Sequence, residues 1–175
     1  MTEVAYFKNI AEQHLDIAHD TPITEGSEEK RCSFFRLGKS QELSAAIFNK
    51  AHFPCLVYAD VRIRYNADNN TQAARRRKFH TLYVFSAVDQ SISNEIDKQE
   101  AAYDAALEVA EEIISFMNED QLNNGFCAAG FRFKPDMVVL DMEDLPASNL
   151  YGWRIQIESM SQKDFIKNPA KWIEP

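Results

Sequence analysis

The chain reads as an α+β domain with a mainly antiparallel sheet, and three patterns predict it. Period-two alternation runs through residues 55–65 and again through 78–89, with a polar, Asn-rich stretch between them. Helical spacing runs through 94–118. Two more alternating stretches follow that helix with no further helix between them, which favours strands in hairpins over βαβ units. The 175 residues fit a single domain, placed at 1–160, with 161–175 as a tail docked on its own body or on a neighbour.

In chain order, Val4, Phe7, Ile10, Ala11, His14 and Leu15 form one stripe, so a helix is expected over 3–17. Pro22, Gly26 and several charges mark 20–30 as a loop. Cys32–Leu37 has the composition of a short strand. Ser40 is placed to cap a second N-terminal helix over 41–49, with Leu43, Ala46 and Ile47 inward. Pro54 then disfavours helix and leads into extended chain. In the first long strand Val57, Ala59, Val61, Ile63 and Tyr65 form an apolar face against Tyr58, Asp60, Arg62 and Arg64. In the second both faces are fairly apolar, which predicts a central strand. Together they make a long β-hairpin with its tip at 66–77.

The helix over 94–118 carries Ile96, Tyr103, Leu107, Ala110, Ile114 and Met117 on one side, with Ser93 or Asn94 as its cap. Its amphipathic pattern predicts packing on one face of the sheet. Phe131, Phe133, Met137 and Val139 alternate with Arg132, Lys134 and Asp136 as a strand in which Pro135 suggests an edge or a bulge, and 141–149 reads as an acidic loop. Tyr151, Trp153, Ile155 and Ile157 alternate with Gly152, Arg154, Gln156 and Glu158 in a last strand, where Gly152 allows another backbone to approach closely.

Composition narrows the function. Hydrophobic residues at 45% and charged residues at 26% are those of a folded domain, which excludes disorder of the whole chain. A net charge of -8 argues against a sequence-specific nucleic-acid partner, because such binding draws on neutralisation of phosphates by Lys and Arg. The first residues have no secretory pattern, and no apolar run approaches the ~20 residues of a membrane helix. No membrane partner and a cytoplasmic location are therefore expected. Three cysteines at 32, 55 and 127 suit reduced thiols better than a disulfide framework.

Chemical motifs are not evident. His52, Cys55 and Asp60 are neighbours in sequence, and Cys32 and His80 are further candidates, but paired zinc-ligand spacing is missing. Cys127 lies in Gly-Phe-Cys-Ala-Ala-Gly, which matches no nucleophile motif, and no glycine-rich phosphate loop occurs. The carboxylate pairs, such as Glu111-Glu112 and Glu143-Asp144, read as solvated faces. No catalytic, metal-binding or cofactor-binding residue is assigned, and no enzymatic activity is expected.

The run Arg75-Arg76-Arg77-Lys78 stands out in an acidic chain. One reading is a protruding basic loop that contacts an acidic surface or DNA. The other is a charged edge that keeps the hairpin soluble and blocks strand-to-strand aggregation.

Residues 54–160 resemble, in order and size of elements, the tail-terminator or tail-completion proteins of long-tailed phages and prophages. The likeness rests on Phe53-Pro54 leading into the long hairpin, the single long helix over 94–118, and the closing strand Asn149-Leu150-Tyr151-Gly152-Trp153-Arg154-Ile155-Gln156-Ile157. The 20–30 loop and the tail bearing Phe165 and Trp172 have no counterpart in it. The resemblance implies a non-enzymatic structural subunit that forms a ring, often of six, caps the tail tube and joins it to the head or neck, and so resides in the virion. Its partners would be further copies of itself, the tube protein and head-joining proteins. Arg75, Arg76, Arg77 and Lys78 would then serve contacts between subunits or face the lumen. An acidic, motif-free α+β domain also fits an intracellular adaptor or an immunity-type protein.

Overall fold

A computed structural model describes residues 1–37, 51–67, 73–145 and 149–164, apart from the side chains of 60, 65–67, 73–75 and 161–164. The expected helix over 41–49 and the tail anchors Phe165 and Trp172 lie outside the described residues. The elements are α1 (Glu3–Gln13), β1 (Phe34–Arg36), β2 (Cys55–Ala67), β3 (Ala73–Ala87), α2 (Glu95–Asn124), β4 (Arg132–Phe133), a 3-10 turn (Pro135–Met137), β5 (Val139–Leu145) and β6 (Leu150–Asp164). This is an α+β fold.

The strands form one sheet in the order β1-β2-β3-β6-β4, and β5 pairs with β6 on the same edge as β4. Only the short β1–β2 pair is parallel. β3 is central, bonded along its length to β2 on one side and β6 on the other, as its two apolar faces predict. The β2–β3 hairpin runs from Cys55 opposite Phe85 to Ala67 opposite Ala74.

Local chemistry sets the helix ends. The Thr2 hydroxyl accepts the Ala5 amide at 3.2 Å to start α1. Asn94 does the same for Ile96 at 3.1 Å to start α2, and Gly125 ends α2 in the left-handed region at φ 75°. α1 stops at Gln13, earlier than its stripe suggests, and Leu15 is 91% exposed. α2 runs six residues beyond the expected end at 118. Its buried side holds Ala102, Ala106, Val109, Ala110, Ile113 and Met117, so Ala110 and Met117 are buried as expected while the other members of the stripe lie one step round. The alanines let the helix approach the sheet closely, which leaves Tyr103 and Ile114 half-buried beside the seam and Ile96 exposed. The Trp153 indole N–H donates to the Tyr103 carbonyl at 3.0 Å and pins α2 to β6.

The main core lies between the helices and one sheet face, where Phe7 and Ile10 of α1 and Ile113 and Met117 of α2 meet Leu56, Leu82, Val84 and Ile155. A smaller cluster on the opposite face gathers Leu37, Cys55, Val57, Phe85 and Leu150. One β-bulge accounts for a departure from the expected pattern in β2. Tyr58 faces Leu82 and Val61 faces His80, so Ala59 and Asp60 together stand against Thr81. The extra residue reverses the alternation, and Val57 and Val61, expected on one face, belong to opposite ones. Arg36 supports the bulge. Its guanidinium donates to the carbonyls of Leu37 and Ala59, and to that of Tyr58 at 3.1 Å, while lying 4.7 Å from the Tyr58 ring centre.

Two further expectations fail around the last strands. The stretch 131–139 is broken by the 3-10 turn at Pro135, so β4 ends at Phe133. The acidic stretch expected as a loop from Asp141 is strand β5 as far as Leu145. It is an edge strand whose carboxylates find a cation across the ladder: Arg154 binds Asp141 at 2.8 Å and Glu143 at 3.8 Å. β6 runs to Asp164. Gly152 is needed where it stands. A β-carbon there would enter the Val84 carbonyl and lie 2.9 Å from the Phe85 Cα, the close approach its position in the last strand suggests.

Candidate interaction surface

The basic run lies in β3 and not at a loop tip. Arg75 pairs with Asn66 and Gln162, Arg76 with Tyr65 and Ser161, Arg77 with Arg64 and Met160, and Lys78 with Ile63 and Ser159. Extended chain sends successive side chains to opposite faces, so the run does not make one patch. Lys78 turns to the helix side and forms an ion pair with Glu3 of α1. Burial opposes ionisation of Glu3, yet the hydrogen bond and charge of Lys78 hold its carboxyl below the usual value. Arg77 turns to the other face and binds Glu158 of β6 at 2.9 Å. Arg76 is half-buried on the Lys78 side, and the Arg75 side chain is outside the described ones. Lys78 is thus part of the body's own packing, while Arg77 belongs to an open surface.

That surface is the sheet face away from α1 and α2. His80, Leu82 and Val84 point into the core, so Phe79 and Thr81 point out. The bulge brings Arg62 and Arg64 to the same outer face, opposite Phe79 and Arg77. Arg64 is held over the Phe79 ring at 5.3 Å. From the far side Met137, Val139 and Gln156 complete a groove of about 320 Å³. A smaller hollow continues it past Arg77, Lys134 and Met160. Among the described residues lining both, the single carboxylate is Glu158, already bound by Arg77. Among the described residues, a groove with an aromatic floor and a cationic rim therefore lies on the sheet face away from α1 and α2, in an acidic protein.

Sequence reasoning placed Arg62 and Arg64 on a polar strand face but did not join them to Arg77. The connection depends on the ladder register and the bulge, and neither has a local sequence signal.

The other chemistry considered is internal. His80 is buried, with Nδ1 at 3.0 Å from the Tyr58 hydroxyl and Nε2 at 2.7 Å from Ser159 Oγ, and with Phe7 and Phe131 against its ring. Burial pushes its pKa down to about 4, which makes it a neutral core residue at neutral pH. The Cys32 amide donates to His52 Nδ1 at 3.1 Å, so that ring nitrogen is already used. All three cysteines are free. Burial raises the Cys55 thiol far above its ordinary value and the Cys127 thiol to about 11, so both stay protonated at neutral pH. His14, Asp16 and Glu112 bring ligand-type atoms close together. The imidazole is already used there: Nδ1 accepts the Asp16 amide at 3.2 Å, and Nε2 lies 2.8 Å from Glu112. No described helix is long and apolar enough to cross a membrane. No family model matches the chain, and no curated protein does either.

Proposed function

We propose that the chain is a non-enzymatic assembly subunit of a phage or prophage tail, which forms a ring on the tail tube and joins it to the head or neck. The observation that carries this reading is the three-stranded arm. β2, β3 and β6 continue together as a paired ladder of roughly 20 Å over residues 73–78 of the central strand, with Lys78 at its base bound to α1. Ile63 lies on the helix side of this arm and is still 48% exposed. A long paired ladder that exposes an apolar side chain is suited to contact with a neighbour. The open groove at the arm's base adds a second such surface. The order of hairpin, long helix and closing strand that resembles tail terminators supports the same reading.

The test combines native mass with negative-stain images of the chain, alone and with the tail-tube protein from the same genome. Closed rings, free or seated at one end of tubes of limited length, are expected. Single chains in solution together with bare, unchanged tubes would overturn the proposal, and a tight one-to-one complex with another protein would favour an adaptor.

A further inference from the structure

The two sides of the molecule carry opposite charge. Every exposed charged residue of α2 is acidic, and its one cation, Lys98, is buried and bound to Glu95 at 2.7 Å. Asp104, Glu108 and Glu111 form a row at helical spacing on its outer side. On the opposite side of the sheet lies the groove rimmed by Arg62, Arg64, Arg77 and Lys134. The two surfaces therefore differ in sign.

We infer that the groove receives the acidic outer face of α2 from a second copy of this chain. The contact is head-to-tail: each subunit offers its helix to one neighbour and its sheet to the other. Such a heterologous contact closes into a ring or continues as a filament according to the rotation between copies. Asp104, Glu108 and Glu111 meet Arg62 and Arg64. Charge complementarity of this kind selects register and partner, and salt weakens it. The inference rests on the ring reading and specifies which surfaces build the ring.

A charge exchange tests it. One variant carries Arg62→Glu and Arg64→Glu, the other Asp104→Lys, Glu108→Lys and Glu111→Lys. All five side chains are exposed, and circular dichroism melts verify folding. Sedimentation velocity at low salt reads self-association. Each variant alone is expected to associate about tenfold more weakly than the parent, or more weakly still. An equimolar mixture is expected to recover association, because the acidic helix of the first variant meets the intact groove of the second. Recovery in the mixture cannot come from misfolded chains. Rings that persist in both variants, or a mixture that stays dissociated, would overturn this contact and leave the tail-tube reading standing. A parent chain that caps tubes yet never self-associates in solution would also overturn it, whereas failure to cap at all sinks the functional reading.

Discussion

His80 makes stability depend on pH in a way that can be worked out from its surroundings. It is 1% exposed, bonded to Tyr58 of β2 and Ser159 of β6, with Glu3 of α1 and Lys78 of β3 as the nearby charges. Desolvation lowers its pKa from 6.5 to about 4, Glu3 opposing the change and Lys78 adding to it. Between these values the unfolded chain binds a proton that the folded chain refuses. Stability from this source is therefore full above about pH 6.5 and is lost as pH falls toward 4. The complete loss is about 3 kcal/mol, from 1.36 kcal/mol per unit of pKa. Glu3, held low by Lys78, also loses its contribution as pH falls, but below its ordinary 4.5. The comparison is between the parent and His80→Gln, which keeps a polar group between the two hydroxyls and does not titrate. Urea unfolding from roughly pH 7.5 to 4.5 should cost the parent about 2.5 kcal/mol more than the variant, while Glu3 and the other carboxylates cancel to first order. Equal pH slopes for the two proteins would refute the assignment of His80 as a neutral core residue.

Three further outcomes follow from the packing. Gly152→Ala should lower stability by about 2–3 kcal/mol, read in a thermal melt, because the new methyl meets the β3 backbone. Tyr6→Phe should cost about 1–2 kcal/mol in urea, since the hydroxyl donates to Asp120 at 3.0 Å across α1 and α2. In the folded protein near pH 8, iodoacetamide should modify half-buried Cys32 well before Cys55 or Cys127, with the latter two reacting only in denaturant, as peptide mapping would show.

The parts of the fold legible in the sequence are those where a local pattern meets a single constraint. The two apolar faces of 79–87 identified the central strand, and the pair Ser93 and Asn94 marked the start of α2, where Asn94 is the cap. Three features were hidden for physical reasons. The bulge at Ala59 and Asp60 reverses the side-chain alternation inside an otherwise regular stretch, and no residue there announces it. The buried side of α2 follows small residues, Ala102 and Ala106, because close approach to the sheet outweighs the size of the flanking Tyr103 and Leu107. The strand β5 looks like a loop because Asp141 and Glu143 are suited to an edge only once Arg154 faces them. The same limit applies to the candidate surface. The run from Arg75 to Lys78 was visible, but alternation divides it between an internal ion pair and the open face. The groove draws its other arginines from β2 through a register that only the folded sheet defines.

The most direct measurement is native mass over a wide concentration range at low salt, with negative-stain images of the same samples and of samples containing the tail-tube protein. Closed rings of uniform size, free or at one end of capped tubes, are the expected result. A mass that stays at the 20.1 kDa of one chain at every concentration, with tubes growing uncapped in its presence, would contradict the assembly reading.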